Sequence, residues 1–197
     1  MSKVIADMSM SLDGFVARPD DSIEPVAGWF FGGDVEVPTA TPGFSFQAPA
    51  PSADMLRDAL SGVGALLTGR RNFDLAKGWG GQHPMGVPVV VLTHEPPSEW
   101  RDNKNFVFVT DGIKSAVAQA KAIAGDKIVG VATPDMVRQC LEARLLDAVH
   151  INLVPVVLGQ GVPYFANLAE TPITLETPEV IESQGVTHLT YQVTYPN

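Results

Sequence analysis

The fold class follows from residues 127–158, KIVGVATPDMVRQCLEARLLDAVHINLVPVVL. This segment has the pattern of a strand, a helix and a second strand in succession. Its opening, KIVGVA, predicts the first strand. Thr133, Pro134 and Asp135 then supply an N-cap, a proline at the first helical position and an acid in the first turn. Residues 147–158 alternate apolar with polar side chains, which predicts the second strand. A helix that joins two strands is typical of a parallel pair and therefore of the α/β class.

Strand and helix patterns continue to alternate on both sides of this segment. Runs with the composition of strands cover residues 3–9, a stretch that ends at Gly69, 87–93 and 106–110. Ser52 predicts the N-cap of one helix, and residues 113–124 have the spacing of another. Residues 173–182 and 186–195 predict a closing antiparallel hairpin. The predicted fold is a mostly parallel central sheet with helices on both faces and a C-terminal antiparallel hairpin.

Residues 18–51 interrupt this alternation. They contain six prolines and four glycines, and proline both restricts the backbone and removes a hydrogen-bond donor. We therefore predict a long loop that covers a pocket. Trp29, Phe30 and Phe31 lie within it. They could stack on a flat substrate or anchor the loop to the core.

Composition excludes several classes of protein. The 197 residues, 45% hydrophobic and 18% charged, are those of one folded globular domain. A formal charge of −9 argues against nucleic acid as the main partner. The single cysteine, Cys140, fits a reducing cytoplasm. Asp7 and Asp13 interrupt any signal peptide, and no apolar run reaches the roughly 18 residues of a membrane span. These features predict a soluble cytoplasmic protein.

Three predicted strand ends carry groups that favour an anion. Arg70 and Arg71 follow one strand, Thr93 and His94 follow another, and Thr133 opens a helix whose N–H groups point outward. Because the carboxyl ends of parallel strands share one edge, this combination suits a cofactor with several phosphates. Taken singly, each has an ordinary alternative: salt-bridged arginines, a surface histidine and a plain helix start.

Other candidate groups are less specific. Asp13, in the turn SLDG, is either a general acid or a turn residue before Gly14. His83, His150 and His188 show no ligand spacing, so no metal site is predicted.

The order of the motifs SLDGFVA, TGRRNFD, VVLTH and GVATPDMVRQCLEARLLDAVHINLVPVVLGQGVPYF resembles the dihydrofolate-reductase-like superfamily. The likeness is greater to proteins similar to the C-terminal reductase domain of the bifunctional riboflavin-biosynthesis enzyme. It covers nearly the whole chain except residues 18–51. The resemblance implies one domain of this type over residues 1–197 and makes a homodimer plausible.

The resemblance also implies NADPH as the hydride donor. It places Gly69 to Asn72 at the adenosine 2′-phosphate, Leu92 to His94 beside the adenosine, Gly130 to Thr133 at the pyrophosphate, and Ala6 with Gly14 to Ala17 beside the nicotinamide. Within those ranges the cofactor-binding candidates are Ala6, Gly14, Ala17, Gly69, Arg70, Arg71, Asn72, Leu92, Thr93, His94, Gly130, Val131, Ala132 and Thr133.

Three positions depart from the pattern of the riboflavin-pathway reductases. Phe15 and Val129 stand where those proteins carry a lysine and a glutamate, and Val131 stands where the pyrophosphate segment has a second glycine. The sequence thus predicts an NADPH-dependent reductase of a small flat heterocycle, either a pterin or an aminopyrimidine such as 5-amino-6-(5-phosphoribosylamino)uracil. Asp13 is the catalytic candidate, and Trp29 to Phe31 are the substrate-binding candidates. The alternative is a nucleotide-binding or sensing protein that keeps the fold without turnover.

Overall fold

The predicted parallel strands form the centre of a nine-stranded sheet in the computed structural model, which describes residues 2–195. The sheet contains β1 Val4–Ser11, β5 Val63–Gly69, β6 Val89–Leu92, β7 Phe106–Val109, β8 Ile128–Ala132, β9 Ala148–Val154, β11 Thr174–Leu175, β12 Glu179–Ser183 and β13 Val186–Thr194. Its order is β11-β13-β9-β1-β8-β5-β6-β7, with β12 paired to β13. The strands from β9 to β7 run parallel, as predicted. The predicted closing hairpin is the antiparallel pair of β12 and β13, and β13 also runs antiparallel to β9.

Four short strands and five helices complete the fold. The strands are β2 Phe15–Ala17, β3 Val35–Pro38, β4 Ser45–Ala48 and β10 Val162–Pro163, which pair as β2 with β10 and β3 with β4. The helices are α1 Glu24–Ala27, α2 Ala50–Gly62, α3 Arg70–Leu75, α4 Ile113–Ala124 and α5 Pro134–Glu142. The spacing had predicted α4 at these residues and α5 directly after Thr133. None of the helices within residues 2–195 is both long and apolar enough to cross a bilayer.

The two faces of the sheet carry different cores. On one face, α4 and α5 pack against alternate residues of the central strands, among them Val4, Ala6, Val129 and Val131. On the other, α2 joins Trp29 and the ends of β9 and β13 in a second cluster. The open space of the molecule lies on this second face.

The prediction of a loop over residues 18–51 is wrong, because the segment contains α1, the β3–β4 hairpin and the start of α2. Its prolines stand where no ladder or helical N–H is required. Pro25 lies in the first turn of α1, Pro38 ends β3, and Pro42 lies in the turn between β3 and β4. The prolines of this segment therefore lie at the ends of short elements and in the turn between them, and they do not indicate that the elements are absent.

The predicted cap at Ser52 is also wrong. Helix α2 begins at Ala50, with Pro49 at the N-cap position, so Ser52 lies inside the first turn. Its side chain is fully buried and points toward β12 and β13, where it bonds to other side chains.

Candidate functional site

A cleft of about 1300 Å³ opens between the second face of the sheet and α2 and extends over the carboxyl ends of β5, β6 and β8. Most of the predicted site residues line it: Ala17, Trp29, Phe30, Gly69, Arg70, Arg71, Asn72, Leu92, Thr93, His94, Gly130, Val131, Ala132 and Thr133. The strand ends that the sequence could only suppose to be neighbours therefore share one cavity.

Four predicted residues do not line the cleft. Ala6 is fully buried in the core between the sheet and its outer helices, and Phe31 is 56% exposed on the surface. Gly14 lies in the turn after β1, and its backbone oxygen accepts a bond from the amide of Tyr164. Asp13 lies in the same turn.

Asp13 holds two loops together. One carboxylate oxygen accepts bonds from Ser11 Oγ at 2.6 Å and the amide of Leu158 at 3.1 Å, and the other accepts a bond from the amide of Gly159 at 2.7 Å. These bonds, that of Ser11 first, lower the pKa of Asp13 from 3.8 to about 2. A carboxylate that is held ionised outside the cleft is a poor proton donor, so these contacts favour the turn role of Asp13 over the role of general acid.

The arginine pair lies at the mouth of the cleft, at the start of α3. Arg70 Nε bonds to the carboxylate of Asp74, and its Nη1 donates to the carbonyl of Glu95 at 2.6 Å. Arg71 is 77% exposed and donates to both carboxylate oxygens of Asp21. Ion pairs at the protein surface are weak, so the two carboxylates do not prevent either guanidinium group from binding another anion.

Three polar side chains between the strand ends form hydrogen bonds within the protein. Asn72 Nδ2 donates to Thr68 Oγ1 at 3.0 Å, and Thr68 Oγ1 donates to the carbonyl of Ala132 at the same distance. Thr93 Oγ1 donates to the carbonyl of Glu95 at 2.9 Å. These bonds fix the edge of the cleft rather than point free donors into it.

Residues 130–133, which were predicted to hold the pyrophosphate, differ in how well they are placed to contact an anion. Gly130 lies within β8, paired to β1 and β5, and the side chain of Val131 packs in the core on the opposite face. A Cβ on Gly130 would lie 2.9 Å from Leu66 Cδ2. A larger residue at this position would therefore require the end of the Leu66 side chain to shift. The Val131 side chain is buried in the opposite core and leaves this face of β8 unobstructed.

Thr133 has the properties expected of an anion-binding position. It is the N-cap residue of α5 but makes no side-chain cap bond, and its φ of 150° lies in a region that favours glycine. Its Oγ1 is buried and has no hydrogen-bond partner. With the positive end of the α5 dipole beside it, this orphaned hydroxyl fits the phosphates of a dinucleotide.

The other half of the cleft is formed by β1, α2 and the segment that precedes β3. Trp29 is 4% exposed, stacks on Phe30 with ring centroids 4.0 Å apart, and donates from Nε1 to Ser9 Oγ at 2.9 Å. The two rings thus anchor their own segment, which confirms that alternative. They also line the cleft, and stacking on a flat substrate stays a prediction.

A polar network under this half was missed by the sequence reading. Asp7 lines the cleft and accepts a bond from Asn152 Nδ2 at 2.8 Å. Asn152 Oδ1 accepts a bond from His188 Nδ1 at 2.6 Å, and His188 Nε2 lies 2.8 Å from Ser52 Oγ. Burial lowers the pKa of His188 from 6.5 to about 4, so the ring is neutral at pH 7.

The alternation of β9 was a signal that could have revealed this network. It places His150 and Asn152 on one face, and the register of the sheet sets Asp7 beside His150 and Ser9 beside Asn152. The alternation is visible in the sequence, but the identity of the strand beside β9 is not.

A family model described as RibD C-terminal domain matches residues 2–184 of this chain. Among solved structures, a protein of Shewanella sp. PV-4 assigned to riboflavin biosynthesis is similar, with 21% identity and a TM-score of 0.68, over 99% of this chain and 100% of that one.

Two further structures have the same fold. Dihydrofolate reductase of Enterococcus faecalis, complexed with NADP(H) and RAB-propyl, is 12% identical with a TM-score of 0.59, over 98% of this chain and 97% of that one. A diaminohydroxyphosphoribosylaminopyrimidine deaminase/5-amino-6-(5-phosphoribosylamino)uracil reductase of Thermotoga maritima is 12% identical with a TM-score of 0.61. That match covers 98% of this chain but 57% of the Thermotoga chain. The fold is dihydrofolate-reductase-like.

Proposed function

This chain belongs to the family of RibD C-terminal domains, and from that membership we propose that it is an NADPH-dependent reductase of a small flat heterocycle. The observation that carries the proposal is the meeting of the arginine pair with the N-terminus of α5 in one cleft. Structures of the same fold include a dihydrofolate reductase complexed with NADP(H) and a protein named as a uracil-derivative reductase.

Two elements of the chain would hold the cofactor, the start of α3 and the N-terminus of α5. Arg70 and Arg71 would contact the 2′-phosphate, since guanidinium groups offer planar paired donors. Thr133 and the first N–H groups of α5 would contact the pyrophosphate. The bound cofactor supplies a hydride, and the protein contributes its orientation against the substrate and the exclusion of water.

The test is a titration of the protein with NADPH and, separately, NADH, followed by fluorescence. We expect Arg71→Ala to weaken NADPH binding about tenfold and to leave NADH binding unchanged, because only NADPH has the 2′-phosphate. Arg101→Ala is the matched control, since Arg101 is an exposed arginine that does not line the cleft. Equal losses for both nucleotides would refute the role of Arg71.

Turnover distinguishes a reductase from a sensing protein. The departures at Phe15 and Val129 suggested lost activity, but Phe15 does not line the cleft and Val129 is fully buried in the core. Neither side chain therefore argues against catalysis. Oxidation of NADPH in the presence of pterins and aminopyrimidines supports the reductase, and binding without oxidation supports the alternative.

The homodimer and the cytoplasmic location stay predictions. A measurement of the molecular mass in solution tests the homodimer.

A further inference from the structure

The cationic groups of the cleft are confined to one half of it. Of the described residues that line it, three carry a guanidinium group, Arg70, Arg71 and Arg138, and none is a lysine. Arg138 lies on α5 and is paired with Asp135 and Glu142. The arginine pair follows the end of β5, which β8 separates from β1, a distance of about 10 Å across the sheet.

The half over β1 is walled by flat and flexible apolar side chains. They are Trp29, Phe30, Phe46, Met55, Leu56 and Leu60. The rings of Phe30 and Phe46 lie 5.0 Å apart and continue the stack that begins at Trp29. Such walls favour a planar ligand with apolar faces.

Asp7 is the charged group on the floor of this half. Its side chain is 40% exposed. One oxygen is engaged by Asn152 at 2.8 Å, but the other meets His150 Nδ1 only at 3.5 Å, which is too long for a strong hydrogen bond. The second oxygen therefore retains the capacity to accept a bond from a ligand.

The network behind Asp7 holds it in place. Asn152, His188 and Ser52 connect Asp7 to α2, and each contact in this chain is between 2.6 and 2.8 Å. Such support keeps the carboxylate in one orientation, which is what a recognition group requires.

We propose that the β1 half of the cleft binds a planar ring that carries no phosphate and donates an N–H from its edge to Asp7. The proposal rests on the proposed reductase function and names its substrate class. Among the described residues that line this half, a phosphate would meet the Asp7 carboxylate and neither a lysine nor an arginine, which is unfavourable in a partly desolvated site. This substrate class differs from the phosphoribosyl compound in the name of the Thermotoga maritima protein.

A matched pair of ligands tests the absence of a phosphate site. The probes are 5,6-diaminouracil and 5-amino-6-(5-phosphoribosylamino)uracil, which share the ring and differ in the ribose phosphate. Each is titrated into the full chain by calorimetry, without nucleotide. We expect the bare ring to bind at least as tightly as its phosphoribosyl derivative. Tenfold tighter binding of the phosphorylated compound, or no binding of the ring, would overturn the proposal.

Substitution of Asp7 tests the recognition group. Asp7→Asn preserves the shape of the side chain and the oxygen that accepts from Asn152, so the fold is retained. We expect it to weaken binding of 5,6-diaminouracil about tenfold, the effect of losing one charge-assisted hydrogen bond. Asp126→Asn removes the same charge from an exposed turn at the other end of β8 and should change nothing.

Unchanged ring binding by Asp7→Asn would overturn the role of Asp7. Neither titration contains NADPH. A protein that binds the ring but fails the NADPH titration would therefore refute the reductase function and leave the ligand class standing. A protein that binds NADPH but not the ring would refute the ligand class and leave the reductase function standing.

Discussion

At the scale of single residues, the structure separates two aspartates that look alike in the sequence. Asp13 lies in a turn and its oxygens are occupied by Ser11 and two backbone amides, whereas Asp7 lies on the cleft floor with one oxygen weakly engaged. The sequence reading chose Asp13 because SLDG is a turn signal with an acid. The role of Asp7 is not visible in the sequence, because it depends on Asn152 of β9 and His188 of β13, which are distant from it in the chain.

Asp13 provides a test of this assignment. Its pKa is lowered to about 2, so the ionised form stabilises the fold above the ordinary value of 3.8, and that contribution is lost as pH falls toward 2. We expect Asp13→Asn to lower the melting temperature at pH 7, with a smaller difference from the parent protein at pH 3. NADPH affinity should be unchanged. A selective loss of turnover without a loss of stability would restore the catalytic interpretation.

At the scale of elements, patterns within one segment were sufficient where the reason for the element is local. Helix α4 and the start of α5 follow from spacing and capping residues, and both lie where they were predicted. The β3–β4 hairpin was missed because its stability comes from packing in the second core, where Val37 and Ala48 are buried with Trp29. Such contacts are not visible in a proline-rich string.

The contact between β2 and β10 depends on a glycine. A Cβ at Gly161 would lie 2.1 Å from the carbonyl oxygen of Ala17, which is backbone and cannot move aside. We expect Gly161→Ala to reduce the free energy of unfolding by about 2 kcal/mol, measured by urea denaturation. The glycine at position 161 thus permits the close approach of this segment to β2.

A second glycine supplies the control for that substitution. Gly62 lies in the last turn of α2, and its nearest neighbour would be Ile128 Cδ1 at 3.9 Å, an ordinary contact. Gly62→Ala should be neutral or stabilising by up to about 1 kcal/mol, because alanine is the better helix former. If both variants lose stability equally, the close approach at Gly161 is not the cause.

At the scale of the whole molecule, the sheet order explains which half of the site could be predicted. The half of the cleft that contains the arginine pair combines the ends of β5, β6 and β8, which any parallel α/β sheet brings to one edge. The other half needs β13 beside β9 and β9 beside β1, an order that a sequence without pairing information does not specify. The sequence could therefore predict that Arg70 and Arg71 lie at the cleft, but it could not predict the network of Asp7, Asn152 and His188.

Two buried histidines make the stability of the whole molecule depend on pH. Burial lowers the pKa of both His83 and His188 from 6.5 to about 4, so the folded state disfavours their protonation. Their contribution is complete above pH 6.5 and is lost as pH falls toward 4, on the order of 3 kcal/mol for each ring. Acid also reduces the self-repulsion of a chain with formal charge −9, which acts in the opposite direction.

Urea unfolding at pH 7.5, 6 and 5 separates these two effects. We expect the free energy of unfolding to fall across the series and His83→Gln to make the fall shallower, because it removes one titrating ring and leaves the net charge at pH 7.5 unchanged. The quantity to compare is the change in the free energy of unfolding with pH, not its absolute value, because the substitution also removes the edge contact of His83 with Trp79. Parallel slopes for the two proteins would show that the burial of His83 does not govern the response to acid.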